Sequence, residues 1–215
     1  ITDNETTAPR VTLTSSASSI AENSGSSITL TATLSVATTA DVTVGLSKDS
    51  GAATEGTDFN NLSDITVTAG NTTGTTSFTP TDDNIYDATS NETAVIIIDS
   101  VSGGSATEDG SQSVTLTITD DESAPTVSLS TSASTVAEKG GGSITITATA
   151  SVATFANISV PVTMSGTATE GTDYNSGGTV SDITISAGST SGTATLTPVD
   201  DTLFENSETA IVDIA

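Results

Sequence analysis

Residues 27–35 have the sequence SITLTATLS, in which apolar side chains alternate with threonine or serine. Successive side chains of a β-strand point to opposite faces of a sheet, so this alternation predicts a strand with one buried face and one face toward water. Val, Ile and Thr are also residues that strands favour. The stretch decides the fold class because the same pattern returns along the whole chain.

Six further segments with this pattern occur within the first 120 residues, separated by Gly, Ser, Asn and Asp. They are residues 11–14, 41–47, 64–68, 75–79, 93–99 and 113–119. No segment shows convincing helical periodicity. Seven short strands in about 100 residues predict an all-β fold, an antiparallel immunoglobulin-like β-sandwich. The unbroken apolar run at residues 95–98 predicts a central strand, or one beside a module contact.

The composition is strongly acidic, with 27 Asp and Glu against 3 Lys and Arg, no His, and a formal net charge of −24. Such a surface repels nucleic acid and anionic membranes and attracts cations. The absence of cysteine excludes disulfides, thiol catalysis and Cys-ligated metal sites. No apolar run approaches the roughly 18 residues of a membrane span. Paired carboxylates can serve glycosidases, but the chain has few aromatic groups to hold sugar rings, so we expect no enzymatic activity.

The chain contains two copies of one module. Val127 lies 116 positions after Val11 in a matching context, and ATEGTDF at residues 53–59 returns as ATEGTDY at residues 168–174. Matching motifs at nearly constant spacing are typical of tandem repeats, in which loops differ slightly in length. We therefore expect three segments: residues 1–8, the end of a preceding repeat and a linker; residues 9–122, a first sandwich; and residues 123–215, a second sandwich without its last strand.

The carboxylates cluster in loops and at the ends of predicted strands. Asp82 and Asp83 follow one strand, and DDE at residues 120–122 follows another, so we expect several loops to bring anions to one end of the sandwich. Repulsion among these anions raises their pKa values unless a cation balances it. Because Ca²⁺ takes about six to eight oxygen ligands and needs neither His nor Cys, the residues favour a calcium site.

In combination these motifs resemble the Calx-β domain, which occurs in sodium–calcium exchangers, cell-surface receptors and bacterial adhesins. The resemblance rests on Glu22, on GTDF at residues 56–59, on DDNIYD at residues 82–87, on Glu92 and on TDDE at residues 119–122. It implies a seven-stranded sandwich that binds Ca²⁺ through loops at one tip. By motif position it implies these ligands: Glu22, Asp58, Asp82, Asp83, Asp87, Glu92, Asp120, Asp121, Glu122, Glu138, Asp173, Asp200, Asp201, Glu205 and Glu208.

Other residues repeated between the modules are expected to be structural. We expect Glu55 and Glu170, which belong to a Thr-Glu-Gly-Thr turn, to be solvated. The aromatic side chains beside the candidate ligands are expected to lie in the core and fix the loops: Phe59, Tyr86, Tyr174 and Phe204.

Three functions remain open on the sequence alone. The first is a non-enzymatic calcium-binding repeat of an extracellular adhesin, matrix fibre or surface filament, in which calcium stiffens the junction between modules. The second is a calcium-sensing regulatory module, and the third is carbohydrate or ice binding by a threonine-rich sandwich face. The expected partners are neighbouring modules of the same chain, neighbouring subunits arranged head-to-tail, or cell-surface and matrix ligands. In the head-to-tail arrangement, the Ile1 end of one subunit would pair with the open edge of another's second module.

Overall fold

The computed structural model describes residues 7–87, 91–176 and 179–215. Within these ranges the chain is built from β-strands and one short 3-10 helix, Glu22–Ser24. This confirms the predicted all-β fold. Contacts divide the described chain into two compact units, residues 7–83 with 91–121 and residues 84–87 with the described part of 122–215. The predicted module boundary after Glu122 stays a prediction.

Strands occur at all seven places predicted in the first repeat, together with three additional strands of two or three residues, β2, β7 and β9. β7 groups with the second unit. The strands are β1 (Arg10–Ser15), β2 (Ser19–Ala21), β3 (Ile28–Leu34), β4 (Val42–Ser50), β5 (Ile65–Val67), β6 (Thr73–Phe78), β7 (Ile85–Tyr86), β8 (Asn91–Ser102), β9 (Thr107–Glu108) and β10 (Ser113–Thr119).

The first unit is a sandwich of two sheets, with strand orders β6-β3-β1-β9 and β2-β10-β8-β4-β5. The pairs are antiparallel except for β1 with β9 and β10 with β2. Every second residue of β3 is buried, at an exposure of 2 % or less: Ile28, Leu30, Ala32 and Leu34. The sequence alternation therefore places one face of each strand in a shared core, as half-buried strands require.

Strand β8 lies at the centre of the five-stranded sheet, between β10 and β4. Ile96 and Ile98 point into the core, whereas Val95 and Ile97 are half-buried on the other side of the strand. The unbroken apolar run thus belongs to a central strand, which was one of the two predicted positions.

Aromatic packing anchors the loop that follows β4. The Phe59 ring is fully buried and stacks on Phe78 of β6, with ring centroids 4.5 Å apart. Its counterpart Tyr174 is also buried, at 4 % exposure. The prediction of core positions is wrong for Phe204, which is 95 % exposed because it lies outside the strands, between β17 and β18. Tyr86 is half-buried in β7.

The second unit repeats this architecture in smaller sheets, ordered β11-β12-β17, β14-β16, β15-β18 and β13-β7. Its strands are β11 (Val127–Thr131), β12 (Ile144–Ala150), β13 (Ala153–Thr154), β14 (Ile158–Val160), β15 (Val162–Gly166), β16 (Ile183–Ile185), β17 (Ser191–Leu196) and β18 (Ala210–Ile214). Within the described residues, β18 pairs with β15 alone, whereas its counterpart β8 pairs on both sides. A groove of about 720 Å³ lies beside β18, lined by side chains that include Ile146, Met164 and Leu196.

Replacing Phe59 by alanine is expected to lower the free energy of unfolding of the first unit by about 3–5 kcal/mol, because it removes a buried ring and leaves a cavity. Urea unfolding followed by circular dichroism measures the change. The matched control is Phe204→Ala, which removes an exposed ring and is expected to alter stability by no more than about 0.5 kcal/mol. Equal losses for the two variants would contradict the placement of these rings.

Candidate metal centre

Each repeat contains a tight loop that positions one candidate ligand. In the first repeat the Asp58 carboxylate accepts a hydrogen bond from the Thr54 amide at 2.5 Å, and Gly56 takes the positive φ of 81° that the turn requires. In the second repeat Asp173 accepts the same bond from the Thr169 amide, also at 2.5 Å. Because the next residue in each loop is the buried aromatic, the core holds the aspartate in place.

Glu55 and Glu170 close these loops from the other side, and the prediction that they are solvated is wrong. The Glu55 carboxylate accepts a hydrogen bond from the Leu62 amide at 2.6 Å, and Glu170 accepts one from the Val180 amide at 2.5 Å. Both glutamates are half-buried. The repetition of Thr-Glu-Gly-Thr was the available signal, but a repeated turn does not reveal an amide donor seven to ten residues further along the chain.

The first group of carboxylates that the fold brings together consists of Glu22, Asp120 and Glu122, here termed the first cluster. One carboxylate oxygen from each lies within 4.8 Å of the other two, and all three residues are half-buried. Glu22 begins the 3-10 helix, while Asp120 and Glu122 follow β10. Asn23 of the same helix donates a hydrogen bond to Asp121, so the helix and the segment after β10 are also joined directly.

The remaining predicted ligands of the first repeat lie elsewhere along its loops. Asp82 and Asp83 are exposed, Asp87 is half-buried after β7, and Glu92 is half-buried near the start of β8. None of them, nor Asp58, belongs to the first cluster as the described residues define it. Residues 88–90, which connect Asp87 to β8, lie outside the described ranges.

The second group consists of Asp173, Glu205 and Glu208, here termed the second cluster. One carboxylate oxygen from each again lies within 4.8 Å of the others, with Asp173 half-buried and both glutamates exposed. Glu138 joins this region because its carboxylate accepts a hydrogen bond from the Asp201 amide at 3.0 Å. The other predicted ligand of the second repeat, Asp200, is exposed at the start of the same segment.

The electrostatics of the second cluster show that its negative charges oppose one another. Desolvation and the charges of Asp173, Asp201 and Glu138 raise the pKa of Glu205. Desolvation also raises the pKa of Glu208, and a hydrogen bond with Asp173 and the neighbouring carboxylates raise it further. Both shifts favour the protonated, neutral form, as expected where carboxylates are desolvated and lie near like charges.

The donor sets of both clusters fit calcium. Two oxygens bound to one Ca²⁺ at about 2.4 Å are at most about 4.8 Å apart, and the carboxylate oxygens of each cluster lie within 4.8 Å of one another. The ligand atoms are all carboxylate oxygens, which are the hard donors that calcium prefers. Three carboxylates supply fewer than the usual six to eight ligand atoms, so backbone oxygens, water or further side chains would complete the coordination.

Comparison with known protein families finds two matches along the chain. The family model of the Calx-beta domain matches residues 4–122 and again residues 120–215. The two matches cover nearly the whole chain and coincide with the two repeats. No curated protein sequence matches the chain.

Acidification is expected to stabilise the second unit when calcium is removed by a chelator. The pKa values of Glu205 and Glu208 are raised in the folded state, so as pH falls through them the folded chain takes up protons that the unfolded chain does not yet bind. The free energy of unfolding therefore rises as pH falls from 7 toward the ordinary glutamate value of 4.5. Thermal or urea unfolding at a series of pH values measures the effect.

The matched variant for this measurement is Glu205→Gln with Glu208→Gln, which removes both titrating groups. We expect the variant to be more stable than the wild-type chain at pH 7 without calcium and to lose most of the rise on acidification. A wild-type stability that falls steadily below pH 7 in chelator would contradict the charge repulsion described for this cluster.

Proposed function

Because the chain belongs to the Calx-beta domain family, we propose that it is a non-enzymatic calcium-binding repeat of an extracellular adhesin, matrix fibre or surface filament. Domains of this family are calcium-binding β-sandwich modules of surface and exchanger proteins. The observation that carries the proposal is the convergence of three carboxylates in each repeat within the span of a single calcium ion. In the described residues, no helix is long and apolar enough to cross a membrane.

The residues that would hold calcium in the first repeat also join two parts of the chain. Glu22 belongs to the 3-10 helix, and Asp120 and Glu122 belong to the segment that leads out of β10. Bound calcium supplies positive charge that offsets the repulsion among these carboxylates. We propose that this fixes the segment after β10 against the helix and so stiffens the peptide leading to the next repeat.

The second repeat supports the same role with a different set of residues. Asp173 is fixed by its loop, while Glu205 and Glu208 lie in the segment that leads into β18. Without a cation these three carboxylates, with Glu138 and Asp201, repel one another. A structural role for calcium here is to hold this segment on the sandwich.

Calcium titration by isothermal calorimetry tests the assignment of ligands. We expect Asp173→Asn with Glu208→Gln to abolish binding at the second repeat, and Glu22→Gln with Asp120→Asn to abolish binding at the first. The control Asp213→Asn removes one exposed carboxylate outside both clusters and is expected to change affinity less than about twofold. Unaltered binding in both double variants would rule out these clusters as calcium sites.

Affinity separates the structural role from calcium sensing. By analogy with EF-hand proteins, extracellular modules bind calcium at about 10⁻⁴–10⁻³ M and sensors at about 10⁻⁷–10⁻⁵ M. We expect the weaker range. Dissociation constants below about 10⁻⁵ M would favour the regulatory alternative.

Small-angle X-ray scattering tests the stiffening of the junction. We expect the distribution of interatomic distances to become narrower and more rod-like when calcium replaces chelator, and Glu22→Gln with Asp120→Asn to remove this change. Sodium chloride at matched ionic strength serves as the control, because salt alone screens repulsion in a chain of this charge. A distance distribution that calcium leaves unchanged would contradict the proposed mechanism.

A further inference from the structure

Two adjacent large apolar side chains of the second unit are almost fully exposed. Leu203 is 69 % exposed and Phe204 is 95 % exposed. The Asp201 carboxylate accepts a hydrogen bond from the Leu203 amide at 2.6 Å, which fixes the start of this pair. An exposed leucine–phenylalanine pair beside strongly acidic residues is unusual for a protein surface and indicates a contact site.

The corresponding residues of the first repeat show what such a pair contacts. Leu203 and Phe204 in PVDDTLFE (residues 198–205) occupy the positions of Ile85 and Tyr86 in PTDDNIYD (residues 80–87). Ile85 and Tyr86 form β7, which pairs in parallel with β13. Both are half-buried there.

The pairing of β7 with β13 has a definite register. Ile85 lies opposite Ala153, and Tyr86 lies opposite Thr154. The Phe155 amide adds a hydrogen bond to the Tyr86 carbonyl at 3.1 Å. The segment that pairs with β7, here termed the acceptor, therefore consists of Ala153 and Thr154, followed by the amide of Phe155.

The first repeat has Ala37 and Thr38 at the corresponding positions, with Thr39 in place of Phe155. The Thr38 hydroxyl donates to the Ala40 carbonyl at 2.6 Å, and the Thr38 carbonyl accepts from the Gly70 amide at 2.8 Å. In the second repeat the Thr154 hydroxyl and carbonyl make the equivalent bonds at 2.6 and 2.9 Å. The two acceptor segments thus have matching local hydrogen bonds.

The acceptor of the first repeat is also accessible. Ala37 is exposed, whereas its counterpart Ala153, which β7 covers, is half-buried. Thr38 is already buried at 9 % exposure and fixed by its hydroxyl, so little ordering is required of this segment when a strand pairs with it. One molecule therefore carries both an exposed segment, Leu203–Phe204, and a pre-formed segment at Ala37–Thr38 with which a strand can pair.

We propose that Leu203 and Phe204 of one molecule pair in parallel with Ala37 and Thr38 of a second copy, joining the copies head-to-tail. Leu203 lies opposite Ala37 and Phe204 opposite Thr38, and the Thr39 amide donates to the Phe204 carbonyl. The interface is heterologous, so repeated addition produces an open chain of molecules rather than a closed dimer. This inference rests on the proposed role as a structural repeat but not on calcium binding.

A lipid surface is a less favoured partner for the exposed Leu203–Phe204 pair. Asp200, Asp201 and Glu205 flank the exposed pair, and the net charge of −24 repels anionic membranes. The same charge opposes contact between copies, and two paired residues contribute little on their own. The association is accordingly weak, and it strengthens with protein concentration and with salt that screens the repulsion.

Engineered disulfides provide a sharp test because the natural chain has no cysteine. Molecules carrying Leu203→Cys are mixed with molecules carrying Ala37→Cys and oxidised in high salt and chelator. Directly paired residues of neighbouring strands lie about 5 Å apart between Cα atoms, within the range that a disulfide spans. We expect mixed disulfide dimers at least about tenfold in excess of those formed when Ala37→Cys is replaced by Ser26→Cys, an exposed position outside the acceptor.

Two further variants complete the design. Ile85→Cys with Ala153→Cys in one molecule is the positive control, since these residues are paired within the second unit. Adding Phe204→Asp to the Leu203→Cys molecule places a charge at the contact and is expected to reduce mixed dimers to the level of the Ser26→Cys control. Equal yields from the Ala37→Cys and Ser26→Cys partners, while the positive control forms its disulfide, would overturn the proposal.

The readout is independent of the calcium proposal because oxidation is performed in chelator. Loss of calcium binding with intact cross-linking would count against the proposed function alone, and the reverse result would count against head-to-tail pairing alone. Sedimentation of the wild-type chain with vesicles of anionic phospholipid tests whether a lipid surface is the partner of the exposed pair. Vesicle binding that Phe204→Asp abolishes, without mixed dimers, would assign the exposed pair to membranes and overturn the pairing of copies.

Discussion

In the second repeat, apolar burial holds like charges close together, and the second cluster depends on that opposition. Tyr174 is inserted into the core and fixes Asp173, a member of the second cluster. Phe59 fixes Asp58 in the same way, although Asp58 does not belong to the first cluster. The energy gained by burying the ring and closing the loop opposes the electrostatic cost of keeping a carboxylate beside others. In the second repeat, desolvation and the neighbouring carboxylates raise the pKa values of Glu205 and Glu208.

The two repeats gather their carboxylates from different elements although their sequences correspond. The first cluster combines the 3-10 helix with the segment after β10, and the second combines the tight loop with the segment before β18. Glu138 corresponds to Glu22, and it accepts a hydrogen bond from the Asp201 amide. One repeat pattern therefore supports two local arrangements of acidic side chains around the end of a sandwich.

Much of the fold could be predicted from the sequence because a two-residue period has a direct structural meaning. Residues 27–35 alternate without exception, and β3 buries every second one of them. The short strands β2, β7 and β9 were not predicted, since two or three residues carry no periodicity. The exposure of Phe204 was not predictable either, because its aromatic character favours the core and only the course of the backbone places it outside.

The sequence predicted which acidic residues could form the candidate sites, but not which of them the fold brings together. The repeats and the acidic motifs indicated which carboxylates to consider, and six of them form the two clusters. Which oxygens approach one another depends on loop conformations set by bonds such as the one from the Leu62 amide to Glu55. Sequence spacing does not show which backbone amide a carboxylate will meet. The sequence therefore predicts solvated side chains for Glu55 and Glu170, although both accept amide hydrogen bonds.

The hydrogen bonding of the first and last long strands of the first repeat, β1 and β10, has a mechanical consequence. β1 begins the sandwich and β10 ends it, and each is hydrogen-bonded on both sides, β1 to β3 and β9, and β10 to β8 and β2. Tension along the polypeptide pulls each of these strands lengthwise, across ladder bonds that lie largely perpendicular to it. Many bonds then share the load at once instead of opening one after another, so the module resists extension in shear.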